Sequence, residues 1–297
     1  MATTEQKLIK QINDMPDNKQ MKNMYRDAYT DLAKELEDWV DVYPTMTVSQ
    51  QAEFMRRTVV AKKMLEVLQG LEVNVVDNIL DVIKRVGILS FNKTYYLLEQ
   101  QYRVDLGSVL MNEQKLLELA NQRINHLNFS ERLHNNTLEV ALKAEHSITD
   151  GLVRGDSYQV IAKRLKDITN IAYNDALRIS RTESGRVGAL TNYEATKQIK
   201  KRGFDIKKQW VSTLDKRTRR DHAELDHQTI DVDEYFNIGR YQALHPHGFG
   251  VASEDINCRC VLINIIDGMD SDTRRDNETG ETIQDMSYNE WVKDKQQ

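Results

Sequence analysis

The chain has 297 residues, 40% of them apolar and 29% charged, with only 13 Gly and 3 Pro, a composition suited to helix-rich globular structure in one large or two ordinary domains. Its net charge of -5 excludes a general polyanion binder, so nucleic-acid contact would have to come from a local basic patch. Two cysteines in the whole chain exclude a disulfide scaffold.

No stretch approaches the roughly 18 uninterrupted apolar residues that a membrane span needs. The start, Met1-Ala2-Thr3-Thr4-Glu5-Gln6, lacks the basic-then-apolar pattern of a secretion signal, and folding in a reducing cytoplasm is the expectation. Up to about residue 150 the breakers are few: Pro16, Pro44, and single glycines at 70, 87 and 107. Between them Val60, Met64, Leu68 and Leu71, then Val76, Ile79, Leu80 and Ile83, recur at helical spacing. Leu116, Leu117, Leu119, Ala120 and Ile124 continue the pattern, and Val140, Ala141 and Leu142 begin another segment. Helices joined by short polar turns are predicted. The aromatic run with Tyr95, Tyr96 and Tyr102 reads as helix-on-helix packing rather than a binding face.

After Gly151 the texture changes. Gly155-Asp156-Ser157 is a turn ending in an N-cap, and Val160, Ile161, Leu165 and Ile168 form the apolar stripe of the next helix. A second, longer helix is predicted from about Ile171 to Ile199, with Gly203 at its left-handed C-cap. Phe204, Ile206, Lys208 and Trp210 then alternate with Asp205, Lys207, Gln209 and Val211, a strand period. Asp215 is read as the cap of a short helix through Leu225, and residues 229–236 as one or two short strands. Residues 237–255 read as a long loop, 256–266 as a closing strand, and the remainder as a polar tail until Tyr288 and Trp291. The expected fold class is α+β: a mostly α-helical half (1–150), a small α+β domain with a short antiparallel sheet (151–266), and an acidic tail (267–297).

Three groups of residues could carry chemistry. On the long helix, Ala172, Ala176, Ile179, Val187 and Leu190 share a face, and Glu183 falls in its middle. A core-facing carboxylate is costly unless a cation meets it, so Arg217, Arg219 or His222 is expected to join Glu183 in a structural polar cluster. The rival is a metal-independent nuclease or toxin-like site, with Glu183 as base, His222 as acid and Arg217 or Arg219 on the phosphate. Secondly, Cys258 and Cys260 stand at strand spacing i, i+2, with His222, His227, His245 and His247 in reach by number alone. Inert buried cysteines are the preferred reading, over a zinc set of His222, His245, Cys258 and Cys260. Thirdly, nine Lys or Arg lie between 200 and 220. Lys200, Lys201, Arg202, Lys207, Lys208, Lys216, Arg217 and Arg220 form the candidate DNA-binding set, against the alternative of a solvated basic face. Gly-rich phosphate loops, Ser-His-Asp arrangements and His-Glu-x-x-His are absent, so no enzyme and no cofactor are expected.

The same residues resemble the C-terminal module of phage minor head (head-morphogenesis) proteins, the family that includes the Mu F-like proteins of tailed phages. The shared features are Ser180-Arg181-Thr182-Glu183, then Trp210-x-x-x-x-Asp215-x-Arg217-Thr218-Arg219-x-x-His222 and Leu225-Asp226. Pro246 and Asn257-Cys258-Arg259-Cys260 follow, and the ending Met286-Ser287-Tyr288-Asn289-Glu290-Trp291 is similar to that of members from phages of Gram-positive bacteria. One departure is His227-Gln228, where members often carry Gly, which leaves the turn geometry open. The resemblance implies a non-enzymatic, low-copy virion protein inside the capsid near the portal vertex, assembled in the host cytoplasm. Its implied partners are the portal protein, scaffolding or major capsid protein, and phage DNA, with roles in capsid assembly and DNA ejection.

Overall fold

The computed structural model describes residues 18–56, 59–107, 109–120, 129–213, 215–267 and 292–296. Ile124, Tyr288, Trp291 and the Met286–Trp291 motif lie outside the described residues. Among the described residues six α-helices come first: α1 Asn18–Val42, α2 Val48–Arg56, α3 Val59–Tyr102, α4 Glu113–Ala120, α5 Phe129–Arg154 and α6 Tyr158–Lys201. Then follow β1 Ile206–Val211, α7 Arg220–Glu224, β2 Thr229–Asp231, β3 Phe236–Ile238, β4 Tyr241–Ala243, α8 Ala252–Asp255 and β5 Val261–Ile266. The fold class is α+β, as the periodicities indicated. Among the described residues no helix is long and apolar enough to cross a membrane.

Local chemistry sets several boundaries. Thr47 and Gln50 form a reciprocal capping box at the start of α2: the Gln50 carboxamide accepts from Thr47 N–H at 2.8 Å, and the Thr47 hydroxyl accepts from Gln50 N–H at 3.3 Å. The Asn112 side chain accepts from Lys115 N–H at 2.8 Å and starts α4. Gly203, with φ of 95°, ends α6 where a left-handed residue was expected. Two differences concern length. α3 runs through Gly70 and Gly87, because a lone glycine costs a helix only about 1 kcal/mol and Val75, Ile79, Ile83 and Val86 bury the surrounding face. The two helices expected between 157 and 199 are one, since the junction 166–170 contains neither Gly nor Pro.

The chain divides into two compact units. In the unit of residues 16–81 and 127–180, Leu32, Leu36, Trp39, Met64, Ile148 and Leu165 belong to one buried cluster drawn from α1, α3, α5 and α6. The other unit takes residues 82–126 and 181–297 in their described parts. It holds a three-stranded antiparallel sheet in the order β2-β1-β5, with Ile206 opposite Ile266 and Trp210 opposite Leu262. The alternation along β1 buries Ile206, Lys208 and Trp210, and that along β5 buries Leu262, Asn264 and Ile266. A polar seam joins this face to α6: Thr196 Oγ1 donates to Asn264 Oδ1 at 2.8 Å, and Asn264 Nδ2 donates to Asn192 Oδ1 at 3.0 Å. Phe91, Tyr95 and Tyr102 are buried, and the Tyr102 hydroxyl accepts from Ile266 N–H at 3.2 Å, so these members of the aromatic run pack within the core while Tyr96 is half-buried.

Residues 237–255 are less irregular than their glycines implied. β3 and β4 form a hairpin there, Phe236 opposite Ala243, and α8 follows. Strands of three residues are too short to leave a readable period. Asp215 caps no helix either. Its carboxylate accepts from Arg217 N–H at 2.8 Å in a local turn and pairs in a fork with Arg259, both contacts at 2.6 Å.

Candidate functional site

Trp210 anchors the site. It is wholly buried on the inner face of β1, with the rings of Phe236, His222 and Phe249 at centroid distances of 5.1, 5.7 and 6.0 Å. Its indole N–H donates to Ser212 Oγ at 3.1 Å, and the Ser212 hydroxyl donates to the His222 carbonyl at 2.6 Å. This relay fixes α7 over the sheet, with the His222 side chain turned inward and buried. From the opposite side comes the segment that leads into β5. Asn257, at φ of 57°, turns the backbone, and its N–H donates to Thr182 Oγ1 of α6 at 3.4 Å. Cys258 and Cys260 follow on one side, their sulfurs 3.6 and 3.5 Å from His222 Nδ1. The other ring nitrogen, Nε2, lies 3.3 Å from Glu254 Oε2 on α8.

Two further contacts hold α8 in place. Arg219 donates to the Ile256 carbonyl at 2.7 Å, and the buried Asp255 carboxylate accepts from the Phe249 and Gly250 N–H groups at 3.1 and 2.7 Å. His247, whose Nδ1 lies 3.1 Å from the Asp255 carbonyl, packs against Gly185 of α6 so closely that a Cβ there would meet its Nε2 at 2.5 Å. Only glycine admits this approach.

The thiol pair is electrostatically polarised. The hydrogen bond from Cys258, reinforced by His222 and Ser212, outweighs burial and pulls Cys260 down, while the same bond and burial hold Cys258 well up. Burial pushes the His222 imidazole down, but the bond to Cys260 and its charge outweigh this and leave it raised. A small opening lined by Thr213, Thr218, Arg219, Asn257 and Arg259 reaches the sulfurs and the imidazole from outside.

The four residues expected in one polar cluster take different partners. Glu183, 1% exposed, is met by Arg186 of its own helix, with Nε to Oε2 at 3.0 Å. Arg186 also donates to the Ala120 carbonyl at 2.5 Å and to that of Leu119 at 3.5 Å. The cation is therefore the residue one turn on, which shares the buried face, rather than Arg217, Arg219 or His222. Arg217 is largely exposed beside Asp215 at 3.6 Å, Arg219 holds backbone carbonyls, and His222 belongs to the thiol site. A nuclease pair of Glu183 and His222 would need both groups open to a phosphodiester, and both are buried.

His245 does not join the cysteines. Its Nδ1 lies 2.8 Å from the Pro246 carbonyl and its ring lies 5.7 Å from that of Tyr193. The basic set also divides. Lys208 is fully buried: its ammonium donates to the Val232 and Leu244 carbonyls at 2.7 and 2.9 Å and lies 4.9 Å from the Tyr193 ring centre, and burial lowers it to about 8. The strand alternation itself put Lys208 on the inward face, so it drops out of any DNA surface. Lys200 bridges Asp231 and Asp233, and Lys207 pairs with Asp267 at 2.5 Å. Lys201, Arg202, Lys216, Arg217 and Arg220 are exposed, Arg220 beside Glu224 at 3.0 Å.

Two expected results arise from this geometry. His227 sits at φ of 62°, in the left-handed conformation that glycine adopts without strain. This explains how the departure at 227 is accommodated: the turn keeps glycine's geometry at a cost of about 1–2 kcal/mol. Because the His227 side chain is largely exposed, His227→Gly should raise the unfolding free energy by about 0.5–1 kcal/mol in urea titration, even after the greater freedom of the unfolded glycine. A loss of stability would refute the strain. The second concerns pH. Burial pushes His247 down to about 3. The unfolded chain therefore binds a proton at this site below about pH 6.5 while the folded chain does not. Its stabilising contribution is full above that value and falls as pH drops, by about 2 kcal/mol at pH 5. His247→Gln should lose that much of the pH 7 to pH 5 difference in urea titrations, and an unchanged difference would contradict it.

With the geometry established, the relatives give it context. The family described as Phage Mu protein F like protein matches residues 143–263. Over 291 residues the chain is 34% identical to NAD(+)--arginine ADP-ribosyltransferase EFV of Enterococcus faecalis, a match over 98% of this chain and 60% of that protein. It is 27% identical over 290 residues to Minor head protein GP7 of Bacillus phage SPP1, covering 93% of this chain and 88% of that one. An uncharacterised Haemophilus influenzae protein is 26% identical over 199 residues, 66% of this chain and 40% of its own length. No solved structure matches. The first of these relatives corrects the expectation of a non-enzyme: a protein named as a transferase aligns with nearly the whole chain, so the absence of familiar catalytic motifs gave no ground for excluding activity. The matching domain at 143–263 and the similarity to a minor head protein along almost the full length point the same way: the chain carries a segment that matches the Mu F-like family and is similar overall to a phage minor head protein.

Proposed function

We propose that this chain is a low-copy component of the phage head, built in at the portal vertex during capsid assembly and acting in the ejection of DNA. The alignment with the minor head protein of Bacillus phage SPP1 over 93% of the chain carries this reading. In it, residues 1–150 grip the portal protein, with scaffolding and major capsid protein as further partners. Residues 151–266 form the head-morphogenesis domain and 267–297 an acidic tail. The protein passes through the host cytoplasm during assembly and ends inside the capsid. Deleting its gene should leave particles that form but are malformed or poorly infectious; particles of wholly normal infectivity would refute the proposal.

DNA contact falls to the exposed cations Lys201, Arg202, Lys216, Arg217 and Arg220. The binding constant should fall steeply with salt, by about 0.9 log unit per log unit of salt for each phosphate neutralised. Replacing Lys216 and Arg217 together with alanine should reduce that slope by about 2, as measured by titration with labelled duplex. A flat salt dependence would remove DNA from the list of partners.

A second reading is favoured by one observation, the transferase relative. Because this chain spans 60% of that protein, transfer of ADP-ribose from NAD(+) to arginine is a separate proposal for it. Incubation of the full chain with labelled NAD(+) and an arginine-bearing acceptor decides it: label on the acceptor supports transfer, and an unlabelled acceptor refutes it.

A further inference from the structure

We propose that His222, Cys258 and Cys260 bind one zinc ion, with the fourth coordination position facing the opening beside Arg219 and Arg259. This is independent of the head-protein reading and of any catalysis. The three donor atoms come from two segments well apart in sequence, yet all lie within 4.8 Å of one another. Metal–sulfur and metal–nitrogen bonds of about 2.3 and 2.05 Å in a tetrahedron set each nitrogen–sulfur edge at about 3.5–3.6 Å. The observed separations of 3.6 and 3.5 Å are those edges. Two thiols and an imidazole suit a borderline-soft ion and disfavour magnesium or calcium.

An independent feature is the carboxylate behind the ring. Glu254 Oε2, 3.3 Å from His222 Nε2, is placed to accept a ring proton there, so that an ion displacing the Nδ1 proton would find the Nδ1 lone pair beside both sulfurs. That is the outer partner a metal-bound imidazole needs. The grouping of Asp221, His222 and Glu254 offers a harder donor set, but it would use Glu254 as a ligand and leave the two thiols without a role. The three ligands are all buried, and the Trp210–Ser212 relay holds the His222 backbone. The ligand geometry is therefore set by the fold before an ion arrives. Binding releases to solvent the protons that the two thiols and His222 Nδ1 carry, and the fourth position, lined by Thr213, Thr218, Asn257 and the two arginines, faces water or a small anion.

The test uses the full chain, expressed without a histidine tag and handled under reducing conditions. Elemental analysis should find close to one zinc per chain. Exchange into cobalt(II) should give the d–d bands of a tetrahedral site together with sulfur-to-cobalt charge transfer. Because the chain has two cysteines in all, that charge-transfer band identifies Cys258 and Cys260 without any variant. Glu254→Gln should weaken zinc binding about 10–100-fold while leaving the site loadable at saturation, and His245→Ala should leave metal content unchanged. Zinc below about a tenth of an equivalent after reconstitution, or cobalt bound with no thiolate charge transfer, would overturn the proposal.

Discussion

Replacing Arg186 with methionine is expected to cost the fold about 3–5 kcal/mol, because it leaves the Glu183 carboxylate buried without its cation. Glu183 and Arg186 are 1% and 4% exposed in their side chains, so water cannot take the place of the lost partner. The carbonyls of Leu119 and Ala120 lose their donor at the same time. The double replacement Glu183→Leu with Arg186→Met removes the charge and should recover much of the loss, leaving mainly the cost of those two carbonyls. Urea titration of the two single variants and the double variant checks this through their coupling. Costs that simply add, or an Arg186→Met variant within about 1 kcal/mol of the parent, would show that the pair does not hold α6 to the α4 segment.

The second large effect is expected at Trp210. Trp210→Ala removes the largest buried side chain of this unit and should cost about 3–5 kcal/mol, by lost transfer free energy and a cavity that the sheet cannot collapse to fill. It also frees Ser212, whose hydroxyl holds the α7 backbone at His222. Trp210→Phe keeps most of the ring packing against Phe236 and Phe249 and loses the indole N–H, so a cost of about 1–2 kcal/mol is expected. If alanine and phenylalanine cost the same in urea titration, packing at Trp210 is not what supports the site.

What was legible in the residues follows from the range of the interaction that sets each feature. Periods of two and 3.6 gave β1 and the helical character of the first half, and local backbone chemistry gave the end of α6 at Gly203, whereas the closing strand expected over 256–266 begins only at Val261, beyond both cysteines. The hairpin of β3 and β4 left no such trace in strands of three residues. The buried position of Glu183 was readable from the apolar face of α6, yet its partner was sought across the fold when the i+3 residue, Arg186, already offered a cation on that face. Lys208 shows the opposite lapse. The alternation that predicted β1 also turned this lysine inward, and counting charge by proximity in sequence hid it. The thiol site was half legible: Cys258, Cys260 and His222 converge, but which second group faces His222 depends on how the 245–256 segment folds. Glu254 stands behind the ring at Nε2 while His245 turns to the Pro246 carbonyl, and no spacing rule signals either. The transferase relative is a separate case, since no residue pattern pointed to it.

The most direct test is a map of the portal vertex in particles produced by the genome that encodes this chain, with its copy number measured by quantitative mass spectrometry of the same particles. The expected result is density for the chain inside the capsid against the portal, at far fewer copies than the major capsid protein. Purified, DNA-filled, infectious particles that lack the chain altogether would contradict its placement as a working part of the head.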